Sequence, residues 1–252
     1  MTKEEALFKY TLRLGDNSLI LSQRLSEWTS QGPFLEEDLA LTNIALDILG
    51  QANSLLEYAA RIEDKGRTAD DLEFFRNERE FYNTLLVEQA NGDYAKTILK
   101  QTLADHFDLL FYTELTKSSD ATLASIAEKS LKEITYHVRH TSSWVDRFGN
   151  GTEESHTRIQ NALNELWRFT DELFEMNDID AVLLKEKVAV DLSALKPVWK
   201  KQIDALLAKA NLKLPETTFM QRGSRDAKHT EQLGYILAEM QYLPRMHPTA
   251  KW

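Results

Sequence analysis

The chain contains no cysteine. Disulfides, zinc–thiolate sites, iron–sulfur clusters and thiol nucleophiles are thereby excluded. The absence is compatible with a reducing compartment, and a cytoplasmic address is expected. Glycine and proline are scarce, nine and five in 252 residues, and they fall between long periodic segments. No apolar run reaches transmembrane length, and the N-terminus MTKEEALFKY has none of signal-peptide length. A soluble protein with no membrane partner is expected. Positive charge is also in short supply: 40 acidic against 30 basic residues give a net charge of −10. Phosphate backbones want a basic face, so nucleic acid is not an expected partner. The P-loop, dinucleotide and nucleophile-elbow glycine motifs are missing as well.

What is present is the composition of a globular protein, 42% hydrophobic, 28% charged and 10% aromatic, too rich in aromatics for disorder. Apolar residues recur at helical spacing over about Glu5 to Thr29, Leu35 to Glu63, Asp71 to Gln89, Tyr94 to Lys117, Thr122 to Phe148 and Glu153 to Glu175. A less regular piece carries the apolar run Ala181 to Leu184. A seventh helix is predicted after Pro197 and before Pro215, and an eighth over Asp226 to Tyr242, halted by Pro244 and Pro248. No strand alternation of useful length occurs. Four segments are about twice the ~11–12 residues of a typical helix. Long helices joined by short turns make antiparallel neighbours, so the fold class is all-α, a bundle with shorter C-terminal helices in one domain over residues 1–252.

The stretch LKEITYHVRH, Leu131 to His140, places Glu133 and His137 on one helical face. His137 belongs to an inward stripe with Leu123, Ile126, Ser130, Ile134, Thr141, Trp144 and Phe148. On the preceding segment His106 lies on a similar stripe, with Asp105 beside it. On the second segment Asn43 and Asp47 share a face, with Gln51 one turn on. Buried carboxylates must be paired or bound to metal. These residues therefore describe either a buried polar network or part of a carboxylate-bridged di-iron site. A mononuclear metal at Glu133 and His137, with an aspartate such as Asp105, is the third reading, and would make the chain a self-sufficient metal-dependent oxidase.

Spacing separates these readings. A di-iron bundle needs a Glu-x-x-His pair on each of two helices. Glu153-Glu154-Ser155-His156 alone matches, and it opens a predicted helix where acidic residues complement the macrodipole. The buried network of Asn43, Asp47, Asp105, His106, Glu133 and His137 is the preferred reading, with no catalytic residue and no metal in this chain. FFRNEREFYN, Phe74 to Asn83, mixes two arginines with aromatics. It reads as an amphipathic helix with i,i+3 or i,i+4 ion pairs, or as a polar edge meeting an anionic ligand or a partner.

Several stretches taken together resemble a known family. YTLRLGDNSLILSQRLSEW (10–28), DLALTNIALDILGQA (38–52), RNEREFYNTLLVEQANGDYAKTI (76–98), LWRFTDELF (166–174) and HTEQLGYILAEMQYLPR (229–245) are similar to the C subunits of multicomponent phenylacetyl-CoA epoxidases, in the PaaA/PaaC family. The resemblance covers nearly the whole chain and departs from the family mainly in loops such as GSRDAKH. It implies a ferritin-like fold and a non-catalytic subunit. In that family the A subunit holds the di-iron centre and inserts one oxygen atom into the ring of phenylacetyl-CoA to give the 1,2-epoxide. Partners implied are the A subunit, a small B subunit and a reductase drawing on NADPH; a homodimer of the isolated chain is also compatible. Contacts with CoA near the A–C interface are implied at Glu80, Phe81, Tyr82, Asn83 and at Ala181, Val182, Leu183. Arg76 and Arg79 are added on physical grounds, because phosphates suit guanidinium forks.

Overall fold

Thr2 starts the first helix with a capping box. Its Oγ1 accepts from the Glu5 N–H at 3.2 Å, and the Glu5 carboxylate accepts from the Thr2 N–H at 2.9 Å, so two orphan donors of the helix end are satisfied. Side chains of Thr68, Asp93, Asp120, Thr152, Asp191 and Thr230 likewise cap later helices. The computed structural model describes residues 1–216 and 219–250. Among these residues the helices are α1 (Lys3–Ser26), α2 (Leu35–Glu63), α3 (Ala69–Phe74), α4 (Leu85–Glu88), α5 (Tyr94–Leu115), α6 (Ala121–Asn150), α7 (Glu153–Leu166), α8 (Asp178–Lys185), α9 (Leu192–Lys209), α10 (Glu231–Met240) and α11 (Tyr242–Met246), with no strand.

Four expected segments are corrected. The one read over Asp71 to Gln89 breaks into α3, a 3-10 turn at Glu78–Glu80 and α4, because Asn77 caps its own short turn: its N–H donates to Glu80 Oε2 at 2.7 Å. The segment read over Glu153 to Glu175 gives way after Leu166 to 3-10 turns at Trp167–Phe169 and Asp171–Phe174. The seventh helix starts ahead of Pro197, because Asp191 caps Ser193; the missing proline N–H costs one bond of the ladder. Pro244 sits inside α11 rather than stopping a helix. It occupies a first-turn position, where the N–H has no intrahelical partner in any case.

The described residues form two compact units. The first comprises Met1–Ala90, Asn177–Leu183 and Gly223 onward; the second comprises Asn91–Met176 and Leu184–Arg222. In the first, α1 and α2 run antiparallel. Ser22 Oγ donates to the Ala45 carbonyl at 2.8 Å and Gln51 Nε2 to Ser18 Oγ at 2.7 Å. Leu19, Ile20, Leu25, Leu41, Ile44 and Leu55 are fully buried, each worth about 1.5–3 kcal/mol of transfer free energy. Gly15 permits the close approach, since a Cβ there would stand 2.6 Å from Leu56 Cδ2.

In the second unit α5 and α6 are antiparallel, with Tyr94 edge-on to Trp144 at 5.4 Å between ring centroids. Trp199 of α9 donates from Nε1 to the Leu103 carbonyl at 3.2 Å and packs on Trp167 and Phe174. The end of α6 meets the end of α9 at Gly149, where a Cβ would overlap the Ala210 carbonyl oxygen. Gly149→Ala is therefore expected to destabilise by about 1–3 kcal/mol through overpacking, despite alanine's higher helix propensity. A denaturation midpoint equal to or above that of the parent chain would contradict this reading of the contact.

Candidate functional site

Asp16 faces inward on α1 with 0% exposure, and a carboxylate in that position must be paired. Its partner is Arg76, which meets it with two guanidinium nitrogens; Nη1 donates to Oδ2 at 3.0 Å. Arg76 also donates to the Leu72 carbonyl and, at 2.7 Å, to that of Glu80, while its guanidinium carbon lies 4.1 Å from the Phe81 ring centroid. Asp16 Oδ2 accepts the Tyr82 N–H at 3.0 Å, and Asn17 Oδ1 accepts the Thr84 N–H at 3.1 Å. Two consecutive α1 residues thus satisfy a non-helical stretch whose backbone donors have no ladder to join. From the other side Gln241 Nε2 donates to the carbonyls of Glu73 and Arg76, and Arg245 to those of Phe74 and Arg76. Burial, then the like charge of Asp70, pushes Glu73 up to about 7.

Next to this stretch lies a second ionic cluster. His229 Nδ1 is 2.8 Å from Glu88 Oε2 and Nε2 is 2.9 Å from the Phe81 carbonyl. Glu88 also accepts from Asn83 Nδ2 and from the N–H and hydroxyl of Thr230. Burial opposes charging of the imidazole, but the hydrogen bond and charge of Glu88 outweigh it and hold His229 above the ordinary histidine value. Arg24 of α1 donates from Nε to the Glu88 carbonyl at 3.0 Å and from Nη2 to Gln232 Oε1 at 3.1 Å.

The expected ligand-facing residues divide by depth. Arg79 and Glu80 are exposed and Tyr82 half-buried, while Arg76, Phe81 and Asn83 are buried. Arg76 is thus corrected: the fork expected to meet phosphate is spent on Asp16, and the helix expected over this stretch is a turn and an extended run. Ala181 is exposed, Val182 half-buried and Leu183 buried on α8, which Arg13 of α1 anchors through two bonds to Asp180, at 2.5 and 3.0 Å. Beside the Glu78–Glu80 turn a cleft of about 400 Å³ is lined by Asn77, Glu78, Gly234, Leu237, Gln241 and Tyr242.

The expected polar network is redistributed. Asn43 is corrected to an exposed position, and Asp47 is half-buried on α2. In the second unit Asp105 accepts from Gln101 Nε2 at 2.7 Å, and Thr141 Oγ1 lies 3.0 Å from its other oxygen. His106 instead binds Ser142 Oγ at 3.0 Å and Gln202 Oε1 at 3.3 Å, and burial holds it below the ordinary histidine value. His137 is buried on α6, and Glu133 one turn earlier is half-buried. Glu153-Glu154-Ser155-His156 opens α7 under the Thr152 cap, and His156 Nδ1 meets the Gly149 carbonyl at 2.8 Å. Among the described residues no three His, Asp or Glu side chains are gathered where they could share a metal ion. Glu88, His229, Asp16, Arg13 and Asp180 were not singled out from sequence. The available signal was Arg13 and Asp16, two charges three residues apart on the apolar face of α1.

Burial raises Asp105 well above the ordinary carboxylate range, against the opposing bonds from Gln101 and Thr141. A carboxyl with a raised folded-state pKa loses stability as pH rises above its unfolded value, 3.8, because only the unfolded chain ionises freely. Asp105→Asn is therefore expected to gain stability relative to the parent as pH rises from about 4 to about 8. Paired melting curves across that range test it, and a difference that does not change with pH would refute it.

Long antiparallel helices carrying inward polar side chains, and no strand among the described residues, define an all-α protein of the ferritin-like class. The family described as "Phenylacetic acid catabolic protein" (PaaA_PaaC) matches residues 1–252, and the chain belongs to it. It is 48% identical over 246 residues to the C subunit of the 1,2-phenylacetyl-CoA epoxidase of Escherichia coli (strain K12), an alignment covering 98% of this chain and 99% of that protein. No helix among the described residues is long and apolar enough to cross a membrane.

Proposed function

We propose that this chain is the non-catalytic C-type subunit of a phenylacetyl-CoA epoxidase, supporting a di-iron partner subunit and helping to seat its CoA substrate. The observation that carries this reading is the 48% identity along 98% of the chain to a protein named as that subunit. The interior of the second unit supports it. Asp105 spends its oxygens on Gln101 and Thr141, and His106 its ring on Ser142 and Gln202; these are the bonds of a packed interior rather than open ligand positions. The solvent face supports a subunit role as well. Leu35, Leu39 and Leu46 of α2 are 71%, 54% and 58% exposed, and Tyr235, Tyr242, Leu243 and Met246 of α10 and α11 are more than half exposed. Exposed apolar groups grouped in this way suit association. Contacts with CoA fall to Arg79, Glu80 and Tyr82 at the surface of the 76–83 stretch and to Ala181 and Val182 on α8. Arg76, Phe81 and Asn83 hold that stretch from behind. Electrons come from NADPH through a separate reductase, and a small B subunit is the remaining member of the complex.

The test expresses the chain with and without the di-iron subunit and measures iron content, co-purification and epoxide formation from phenylacetyl-CoA. The expected result is iron and epoxide only where the partner is present, with the two chains co-purifying. Stoichiometric iron and oxygen-dependent epoxidation by this chain alone would sink the reading.

A further inference from the structure

The His229–Glu88 contact has no part in the function just proposed, yet both side chains are completely buried. The Phe81 carbonyl can only accept a hydrogen bond, so the Nε2 atom facing it at 2.9 Å carries a proton. At the opposite edge of the ring Nδ1 faces Glu88 Oε2 at 2.8 Å. The Glu88 carboxyl already accepts from Asn83 Nδ2 at 2.9 Å, the Thr230 N–H at 2.6 Å and the Thr230 hydroxyl at 2.8 Å. A carboxyl surrounded by donors is satisfied as an anion, so the proton between it and the ring belongs to Nδ1. A ring held between two acceptors is an imidazolium.

We propose that His229 is a buried, doubly protonated cation that clasps the 223–230 loop and the start of α10 onto α4 and the Phe81 carbonyl, and that loss of its second proton on the alkaline side releases the C-terminal helices. Removing that proton sets a bare Nδ1 lone pair against a buried carboxylate. Arg24 donates from Nε to the Glu88 backbone carbonyl and from Nη1 to the Glu27 carboxylate. Glu88 of α4 and Glu78 of the 3-10 turn act on the ring. On the neighbouring elements Arg24 of α1 pairs with Glu27 just past its end, Glu231 opens α10, and Asp226 pairs with Lys228 on the loop. The raised titration of the ring agrees with this arrangement, since Glu88 and Glu78 both favour its charged form. Release also reaches further. Gln241 and Arg245, which cap the carbonyls of residues 73, 74 and 76, travel with the C-terminal helices, so the 76–83 stretch loses one of its two supports.

The inference needs no partner subunit and is tested on the full chain alone. Nitrogen-15 NMR of the imidazoles is expected to show both His229 nitrogens protonated at about pH 7.5, above the titration of an ordinary histidine. Amide hydrogen exchange over residues 231–246, corrected for the intrinsic pH dependence, is expected to rise about tenfold or more as that ring loses its proton. His229→Gln should exchange at the faster rate throughout, with no step in pH. A singly protonated ring at neutral pH, or exchange that shows no step where the ring titrates, would overturn the proposal. Because both readings come from the parent chain, they decide the matter even if His229→Gln fails to fold.

Discussion

Replacing Asp16 by alanine is expected to destabilise the first unit by about 3–5 kcal/mol, the cost of leaving a buried charge without its partner. Arg76 is 3% exposed and its guanidinium closes on both Asp16 oxygens, so water cannot take over. The Tyr82 N–H loses its acceptor in the same step, adding an unsatisfied buried donor. Arg76→Ala should cost a similar amount from the other side, leaving the buried Asp16 charge without its cation and uncovering Phe81. The informative variant is the double substitution Asp16→Leu with Arg76→Met. With neither charge left to bury, it is expected to recover much of the loss, and chemical denaturation of the four chains gives the coupling directly. Single variants within about 0.5 kcal/mol of the parent would mean that the pair does not hold the stretch. Because Arg79, Glu80 and Tyr82 ride on this stretch, the proposed function predicts that Arg76→Ala also weakens CoA-substrate binding by the assembled complex more than it weakens assembly.

Breaking the Arg13–Asp180 pair is expected to be about as costly, again about 3–5 kcal/mol for Asp180→Ala. Both oxygens of Asp180 are bound by Arg13, and Oδ2 also accepts the Asn177 N–H at 2.9 Å. This loss has a pH signature. Burial opposes ionisation of Asp180, but the bonds and charge of Arg13 prevail and hold it below its ordinary value of 3.8. A depressed carboxyl contributes stability that is present above 3.8 and lost as pH falls through the lower folded-state value. The parent chain should therefore lose this increment in acid, while Asp180→Ala, already without it, shows a shallower acid limb. Melting temperatures measured from about pH 7 down to about pH 3 distinguish the two. Parallel curves would remove Asp180 from the acid response.

The long helices were legible because each carries several turns of apolar periodicity. α2 was read over the residues that form it, and α5 and α6 to within a few residues of their ends. The 69–88 region was not legible. Its arginines and glutamates fit helical ion-pair spacing, and local spacing is blind to the stronger partner that Arg76 finds in Asp16, sixty residues away in the chain. His229 was passed over for the same reason: its neighbours in sequence are loop residues, and Glu88 is remote. Asn43 was placed inside on helical phase alone, but one helix has two sides, and phase does not say which side its neighbours cover.

By itself the sequence determined the all-α class and the long helices to within a few residues of their ends, and it excluded thiol and P-loop chemistry. These rest on composition and on interactions within about four residues, which any local window contains. Tertiary structure alone decided which charges are spent and which are offered. Arg76, Arg13 and His229 are chemically as fit to meet an anion as Arg79. What turns the first three into struts and leaves the fourth at the surface is burial beside Asp16, Asp180 and Glu88. Burial is a property of the packed chain, because desolvation makes a carboxylate brought close by folding the obligatory partner of the nearest cation.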